Sequence, residues 1–447
     1  MYSYLVRHLY YPITYFLKGN NVLNYLKIFE ENQWKSQDEL IESQKEKLFT
    51  ILNYAFNNIP FYSHKYHTAK ISREDIKTLK DFSKIPYLTK EEVRTFFQSL
   101  PDKSKRKIYQ GHTSGSTGRP LCFYYDSNFI SSTWASRWRG RGFWDVKIGD
   151  KEVAIWGRPI DSNYESWKQR FKSRLKNVLF LSAFSLSPPK LEQFWSEMIK
   201  FKPDYIYGYP SAIYQLCQFA HEKARSYHGL KAIFCTAESL YSHQKRLMAQ
   251  ILNSPAVNEY GCSESGGFAY ECSEGNLHIS TENVYVEFES NNKQVPPGEL
   301  GEIIVTNLNN FYMPLIRYRV GDMGKYHKKP CLCGRGLPTM EINVAKTSDI
   351  IITHSGKKVC SHLFDYICIS LLKNEEYGIQ QFRIIRKSMS KYLVQIVKDT
   401  QFNQSVLDLF SKKMREFLGA DIIIEYEFLK LIPRDATGKV RYYISEI

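Results

Sequence analysis

"DYIYGYPSAIYQLCQFAHEKARSYHGLKAIFCTA", residues 204–237, runs from a short apolar block through a mixed one to a second apolar block. Tyr205, Ile206, Tyr207 and Tyr209 are aromatic or β-branched, and Pro210 cannot continue a central ladder, so 204–209 reads as a strand that stops there. Ser211 is then expected to cap a helix over "AIYQLCQFAHEKA", and "KAIFCTA" (231–237) reads as the next strand. Both strands are buried-type runs rather than alternating ones, which is the pattern of parallel strands joined by a crossover helix.

Outward from this unit the alternation continues. Strand "EVAIWG" (152–157), a helix around 189–201, a helix over 240–252 and a short strand before Glu259 predict an α/β body with mostly parallel pairing. Upstream, Leu48, Ile51, Leu52 and Ala55 fall at i, i+3, i+4 and i+7 of an amphipathic helix over 44–59, stopped by Pro60. "TKEEVRTFFQSL" predicts another helix, with Thr89 as N-cap and Glu92 completing a capping box. Downstream, "NVYVEFESNNKQVPPGELGEIIVTNL" (283–308) reads as two alternating strands about a Pro/Gly turn, an antiparallel module grafted onto the body. Short strands and helices past about residue 345 predict a small α+β unit. The expected domains are 1–345 and 346–447, and 447 residues exceed the ~250–300 at which single cores stop growing.

The composition, 43% hydrophobic and 24% charged, is that of a folded globular protein. Nine cysteines without regular pairing, and no secretory signal, point to a reducing cytoplasm. Residues 1–19, "MYSYLVRHLYYPITYFLKG", are apolar and aromatic, but Arg7, His8, Pro12 and Lys18 interrupt them short of the roughly 20-residue run that spans a membrane. They are expected to pack across the protein's own body, with peripheral docking on a membrane surface or a partner as the alternative. The formal charge of +15 favours anionic partners, among them nucleotides, coenzyme A and anionic lipid. No nucleic-acid-binding signature accompanies it. The basic clusters "SKRK" (104–107), "RWRGRGFW" (137–144) and "KQRFKSRLK" (168–176) are expected on solvated faces.

"TSGSTG" (113–118) is a small-residue loop whose backbone N–H groups and hydroxyls suit a phosphate. It is not a Walker A loop, because Arg119 and Pro120 follow Gly118. "GCSES" from Gly261 has Ser265 where a serine-hydrolase elbow needs Gly, and H-E-x-x-H and G-x-G-x-x-G are absent.

"TSGSTGRP" (113–120), "TAES" (236–239), "EYGCSE" (259–264), "PLIRYRVGD" (314–322) and "PRDATGK" (433–439), in this order and spacing, resemble the adenylate-forming superfamily of acyl-CoA synthetases, luciferases and peptide-synthetase adenylation domains. "NYAFNNIPFY" and "IPYLTKEEVR" are similar to its phenylacetate-CoA ligase branch, which includes CapK-type proteins of capsule biosynthesis. The resemblance implies the adenylate-forming enzyme fold: a large N-terminal α/β body with an antiparallel β module and a small α+β C-terminal lid. It also implies ATP- and Mg²⁺-dependent activation of a carboxylic acid to an acyl-adenylate, with transfer to a thiol, coenzyme A first, or to an amine. Activation of an acid for surface-polysaccharide modification, or a non-catalytic nucleotide-binding descendant acting in polysaccharide assembly, are the alternatives; the retained Glu264, Asp322 and Lys439 favour an enzyme.

The same resemblance assigns roles. Thr113, Ser114, Gly115, Ser116, Thr117 and Gly118 match the loop that holds the β- and γ-phosphates, with Arg119 where the family usually carries Lys. Glu264 matches the Mg²⁺ ligand, and Ala237, Glu238, Tyr260 and Gly261 the adenine-binding wall. Asp322 matches the ribose-binding carboxylate, Lys439 the catalytic lysine of the lid, and Asp349 the hinge. There the family's Gly-Arg is Ala345-Lys346, with Lys346 still able to meet a phosphate. Tyr207, Tyr209 and the segment after Gly261 are expected to line the acid pocket.

Cys272 and His278, with Cys331 and Cys333, supply four soft or borderline ligands on two loops, a donor set for a tetrahedral structural Zn²⁺. Two unrelated thiol-bearing loops are the other reading of the spacing. Similar cysteines in the phenylacetate-CoA ligase branch favour zinc.

Overall fold

The computed structural model describes residues 2–96, 100, 107–112, 121–156, 172–183, 186–346, 350–352, 358–360, 378–398, 400–433 and 443–447. Thr113, Ser114, Gly115, Ser116, Thr117, Gly118, Arg119, Asp349 and Lys439 lie outside the described residues.

The strands are β1 (Tyr109–His112), β2 (Cys122–Tyr125), β3 (Glu152–Trp156), β4 (Val178–Ser182), β5 (Tyr205–Gly208), β6 (Ala232–Thr236), β7 (Ala256–Cys262), β8 (Gly266–Glu271), β9 (Leu277–Ile279), β10 (Val284–Ser290), β11 (Lys293–Gln294), β12 (Gly301–Asn307), β13 (Tyr318–Tyr326) and β14 (Thr339–Lys346). Then come β15 (Ile350–Ile352), β16 (Lys358–Cys360), β17 (Ile379–Arg386), β18 (Lys391–Lys398), β19 (Ile423–Phe428) and β20 (Tyr443–Ser445). Twelve of them form one sheet in the order β11-β10-β12-β13-β14-β9-β8-β7-β6-β5-β3-β4. The run β7-β6-β5-β3-β4 is parallel and the rest antiparallel. The antiparallel module is thus not grafted on: β8 and β9 carry the parallel ladder directly into it.

The two faces of the parallel half follow from strand alternation. Ile206, Ile233 and Cys235 point into a core with Leu216, Phe194 and Met248, from the helices Pro210–Glu222, Pro188–Phe201 and Ser242–Leu252. Tyr205, Ala232 and Phe234 face the other way, against Trp138 of helix Ser127–Gly142 and Phe29 of helix Val22–Asn32. A third core joins Leu48, Ile51 and Leu52 to Val286, Ile303 and Val305 of the antiparallel half.

Local signals set most boundaries. Helix Gln37–Asn58 starts before the apolar periodicity does, because Ser36 and Glu39 form a capping box with Ser36 N–H donating to Glu39 Oε2 at 2.9 Å. Pro60 ends nothing by itself; it opens helix Pro60–Thr68, where its missing N–H costs no bond. Thr89 and Glu92 make the expected box at Lys90–Phe96. Ser211 is not a cap: Tyr209 is the N-cap residue, Pro210 takes the first helical position, and the Ser211 N–H donates to Glu238 Oε2 at 3.0 Å.

The "RWRGRGFW" cluster is not a solvated face either. Arg139 and Arg141 are buried in helix Ser127–Gly142. Arg139 donates to Glu282 Oε1 at 2.7 Å, Ser280 Oγ at 2.8 Å and the Phe29 carbonyl at 3.2 Å. Arg141 donates to the Tyr205 hydroxyl at 2.9 Å and Glu152 Oε2 at 3.2 Å. Gly140 lets this helix lie on β8: a Cβ there would sit 2.3 Å from the Tyr270 ring.

The N-terminal residues form three successive helical pieces, Tyr2–Leu5, the π-helical Val6–Tyr10 and Tyr11–Leu17. One side packs on the body as expected, through Val6 and Tyr15. Among the described residues no helix is long and apolar enough to cross a membrane. The C-terminal residues form a separate sheet, β19-β18-β17-β20, whose Ile384, Val394 and Ile396 pack with Val406, Phe410 and Met414 of helix Ser405–Leu418. This is the small α+β unit.

Candidate active site

Parallel strands present their C-terminal ends along one edge, and ligands of open α/β sheets bind there. In this chain that edge carries Trp156, Gly208 and Thr236, where β3, β5 and β6 finish, and Tyr260 near the end of β7. Register pairs Thr236 with Glu259, so Ala237 stands level with Tyr260. Ala237 has φ +66°, a left-handed conformation that costs a non-glycine residue about 1–2 kcal/mol. Glu238 beside it is committed to the N-terminus of helix Pro210–Glu222, where its carboxylate meets both the Ser211 N–H and the positive end of the helix dipole. It braces the turn.

Tyr260 and Gly261 sit at a register shift between β7 and β8. A Cβ on Gly261 would lie 2.2 Å from the Gly266 carbonyl oxygen, so only glycine fits this crossing. Asp322 sits at a second register shift, between β13 and β14, where it pairs with Lys346. The Tyr260 hydroxyl donates to Asp322 Oδ2 at 2.9 Å. The Tyr318 hydroxyl, from the same strand as Asp322, donates to buried Glu264 Oε1 at 2.8 Å. Both phenols are raised well above their usual range, by burial first and then by the carboxylates they face. They stay protonated donors. The arrangement holds two carboxylates at one strand-end site, each oriented by a tyrosine.

Tyr318 was not singled out from the sequence, although it lies within "PLIRYRVGD". Arg317 next to it, φ +50°, is the structural part of that motif. It is buried, pairs with Glu287 and Glu289, and donates to the carbonyls of Ser83 and Ile85. The Leu88 N–H donates to the Arg317 carbonyl at 2.9 Å. Arg317 thereby locks the start of β13, which aims Tyr318 and Asp322 at β7.

Beneath the strand ends, Trp156 stacks on Tyr207 at 5.5 Å and packs against Tyr209 at 4.3 Å, between ring centroids. Burial pushes the Tyr207 phenol up to about 12, against the pull of Arg137. Arg137 lies 5.3 Å over that ring and donates to Glu259 Oε1 at 2.8 Å. Tyr207 and Tyr209, expected to line the acid pocket, thus share one aromatic cluster with Trp156, and Arg137 lies over it. Segment 113–120 connects β1 and β2, which pair antiparallel through His112 and Cys122. Asn310 anchors β2 by donating to the Tyr124 carbonyl at 2.9 Å.

The four metal-ligand candidates are brought together. Cys272 follows β8, His278 lies on β9, and Cys331 and Cys333 lie between β13 and β14, which the sheet places against β9. Their ligand atoms all lie within 4.8 Å of one another. Sγ of Cys272 is 3.6 Å from Sγ of Cys331, and Sγ of Cys333 is 3.2 Å from His278 Nε2. A tetrahedral zinc with Zn–S near 2.3 Å has ligand–ligand edges of roughly 3.7 Å. His278 Nδ1 faces the Leu337 carbonyl at 3.1 Å, which leaves Nε2 for a metal. Burial pushes the Cys272 thiol up to about 12 and the His278 imidazole down to about 4.

The sequence profile of the AMP-binding enzymes matches residues 31–312, and that of the CapK C-terminal domain matches residues 351–446. The chain belongs to the AMP-binding enzyme family. Within it, this adenylate-forming ligase falls in the phenylacetate-CoA ligase and CapK branch. It is 25% identical over 437 residues to Protein CapK of Staphylococcus aureus, covering 97% of this chain and 94% of that protein. It is 24% identical over 410 residues to the phenylacetate-coenzyme A ligase of Pseudomonas putida, covering 86% and 89%. A crystal structure of 2-hydroxyisobutyryl-CoA ligase in complex with 2-HIB-AMP shares the fold, with TM-score 0.73 at 20% identity over 93% of this AMP-binding enzyme and 91% of that chain.

Proposed function

We propose that this enzyme activates a carboxylic acid as its acyl-adenylate and passes the acyl group to coenzyme A. The substrate carboxylate oxygen attacks the α-phosphorus of ATP, and the bond to the bridging oxygen breaks as pyrophosphate leaves. The thiol then attacks the acyl carbon, releasing AMP and a proton. The observation that carries the reading is the pair of tyrosine-held carboxylates at the strand ends, Tyr318 to Glu264 and Tyr260 to Asp322. Glu264 would hold Mg²⁺, a hard cation that takes oxygen ligands and bridges phosphates. Asp322 would accept the ribose hydroxyls, and Tyr260 and the strained Ala237 turn would hold the adenine. Thr113–Arg119 would cradle the β- and γ-phosphates, and Lys439 would neutralise charge at the reacting carboxylate.

Residues 1–345 would form the catalytic body and 346–447 the lid, turning about Asp349. Cys272, His278, Cys331 and Cys333 fit a structural zinc: four ligands close the coordination sphere and leave no position for substrate. Full-length similarity to CapK and the CapK form of the C-terminal match support a second reading, in which the activated acid decorates a surface polysaccharide. The acceptor is then an amine or a sugar hydroxyl.

Pyrophosphate exchange across a panel of aryl, fatty, hydroxy and amino acids tests the first step. At least one acid should support exchange, and Lys439→Ala should cost on the order of 10³-fold, as loss of a mobile cation does in phosphoryl transfer. No exchange with any acid, and no effect of Lys439→Ala, would sink the reading. Release of AMP that depends on coenzyme A, against release that depends on an amine or sugar, separates the two acceptors.

A further inference from the structure

More than half of the large apolar side chains left exposed among the described residues lie between Tyr2 and Ile41. They are not scattered. Leu5, Leu9, Ile13 and Phe16 form one stripe along the N-terminal helical segment, with Tyr4 and Leu17 beside it; Phe16 is 83% exposed and Leu17 74%. The spacing i, i+4, i+8 and i+11 puts them on one face, and the π-helical turn at Val6–Tyr10 keeps the first two in line.

This segment is fastened down on its other side. Arg7 donates to Asp150 Oδ1 and to the Ile148 carbonyl, both at 2.8 Å. Asn177 donates to Ser3 Oγ at 3.1 Å, and Trp138 Nε1 donates to the buried Tyr15 hydroxyl at 3.4 Å. The outward face is thus a fixed ridge of side chains, presented by an ordered helix.

Charge selects the occupant. No acidic residue occurs before Glu30, whereas Arg7, Lys18 and Lys27 do, in a chain of net charge +15. Exposed bases stand around the ridge: Lys107 donates to the Lys18 carbonyl at 2.7 Å, and the Tyr2 hydroxyl donates to the carbonyl of exposed Arg174 at 3.2 Å. An apolar stripe with aromatic members and a basic surround, in a segment too short to span a bilayer, has the make-up of an interfacial helix.

We propose that this N-terminal ridge docks the enzyme on an anionic lipid bilayer, with Leu9, Ile13, Phe16 and Leu17 entering the headgroup–acyl boundary and Lys18, Lys107 and Arg174 meeting lipid phosphates. Ile148, Asp150 and Asn177, which fasten the segment, lie just before β3 and β4, at the opposite ends of the parallel strands from the strand-end site.

Flotation of the full-length protein with phosphatidylglycerol–phosphatidylcholine vesicles, and with phosphatidylcholine vesicles alone, tests it. The wild type should float with the anionic vesicles, weakly with the neutral ones, and less as salt rises. Leu9→Glu combined with Phe16→Glu should lower the bound fraction at least about tenfold while acid-dependent pyrophosphate exchange is kept. Ile423→Glu, an exposed apolar site elsewhere, should bind as the wild type does. Failure to float, equal flotation on neutral vesicles, or unchanged flotation of the double variant would overturn the proposal. So would a wild-type dimer that the double variant converts to monomer without any loss of lipid binding, because the ridge would then be covered by a second copy.

Discussion

Tyr260 and Asp322 meet across the sheet: the phenol of one donates to the carboxylate of the other at 2.9 Å although β7 and β13 are not ladder neighbours. Each sits at a register shift, and bulges of that kind re-aim side chains beside active sites. Tyr260→Phe keeps the ring and removes the donor. A hydrogen bond to a charged group is worth about 1.5–3 kcal/mol, so KM for ATP should rise roughly 10- to 100-fold with kcat little altered. Steady-state pyrophosphate exchange reads both constants; a change confined to kcat would contradict the ribose assignment.

Glu264 and Tyr318 give a second, separable prediction. Glu264→Gln should lower exchange by at least about 100-fold at low Mg²⁺ and recover part of it as Mg²⁺ is raised, since a cation ligand has been weakened. Tyr318→Phe should shift the Mg²⁺ dependence in the same direction by less. Equal losses at every Mg²⁺ concentration would count against a metal role for Glu264.

The Cys₃His cluster predicts one zinc per chain by elemental analysis of purified protein. Cys331→Ser should lose it and lower the melting temperature, because the loop between β13 and β14 would no longer be tied to β8 and β9. Adenylation by the variant at low temperature should persist. Wild-type protein without stoichiometric zinc would refute the site.

Arg139 and Glu282 form a buried ion pair at 2.7 Å between helix Ser127–Gly142 and the turn before β10. Glu282→Ala leaves a buried guanidinium without its counter-charge and should cost about 3–5 kcal/mol in urea unfolding. Replacing both partners, as Arg139→Met with Glu282→Leu, should recover most of that. A double variant no more stable than Glu282→Ala alone would show that packing, not uncompensated charge, sets the loss.

Burial pushes the Glu287 carboxyl up to about 7, against Arg317 and with the help of Glu289. The native chain therefore keeps a proton that the unfolded chain releases near pH 4.3. This contribution to stability is whole below the unfolded value and is lost as pH rises through about 7. Glu287→Gln cannot titrate, so the urea midpoint of the wild type should fall relative to that of the variant between pH 4.5 and 8. A difference that stays flat over this range, or runs the other way, would exclude the elevated value.

The parallel body was legible because its strands are short apolar runs separated by helices with their own stop and start signals. Residues 204–237 fold as strand, helix and strand, and only the cap was misplaced, where Pro210 outcompetes Ser211 for the first turn. Helix Ser127–Gly142 was not legible. Its arginines suggest a solvated face, and their burial depends on Glu152, Glu259 and Glu282, which are distant in sequence. β4 was hidden in the same way, directly behind the basic residues 168–176. For the site, the order of motifs pointed to Glu264 and Asp322, and soft side chains on two loops to the Cys272, His278, Cys331 and Cys333 cluster, but Tyr318 acquires meaning only when β13 faces β7. Which strands face each other is a long-range outcome that periodicity does not carry.

The unbroken ladder from β4 to β11 has a consequence for any attempt to take the protein apart. A cut between β7 and β13 would leave two fragments, each with a raw strand edge where a neighbour had been, and such edges recruit other chains. Split reporters, and chimeras that borrow the antiparallel half from a relative, should aggregate. The body is exchangeable only as a whole.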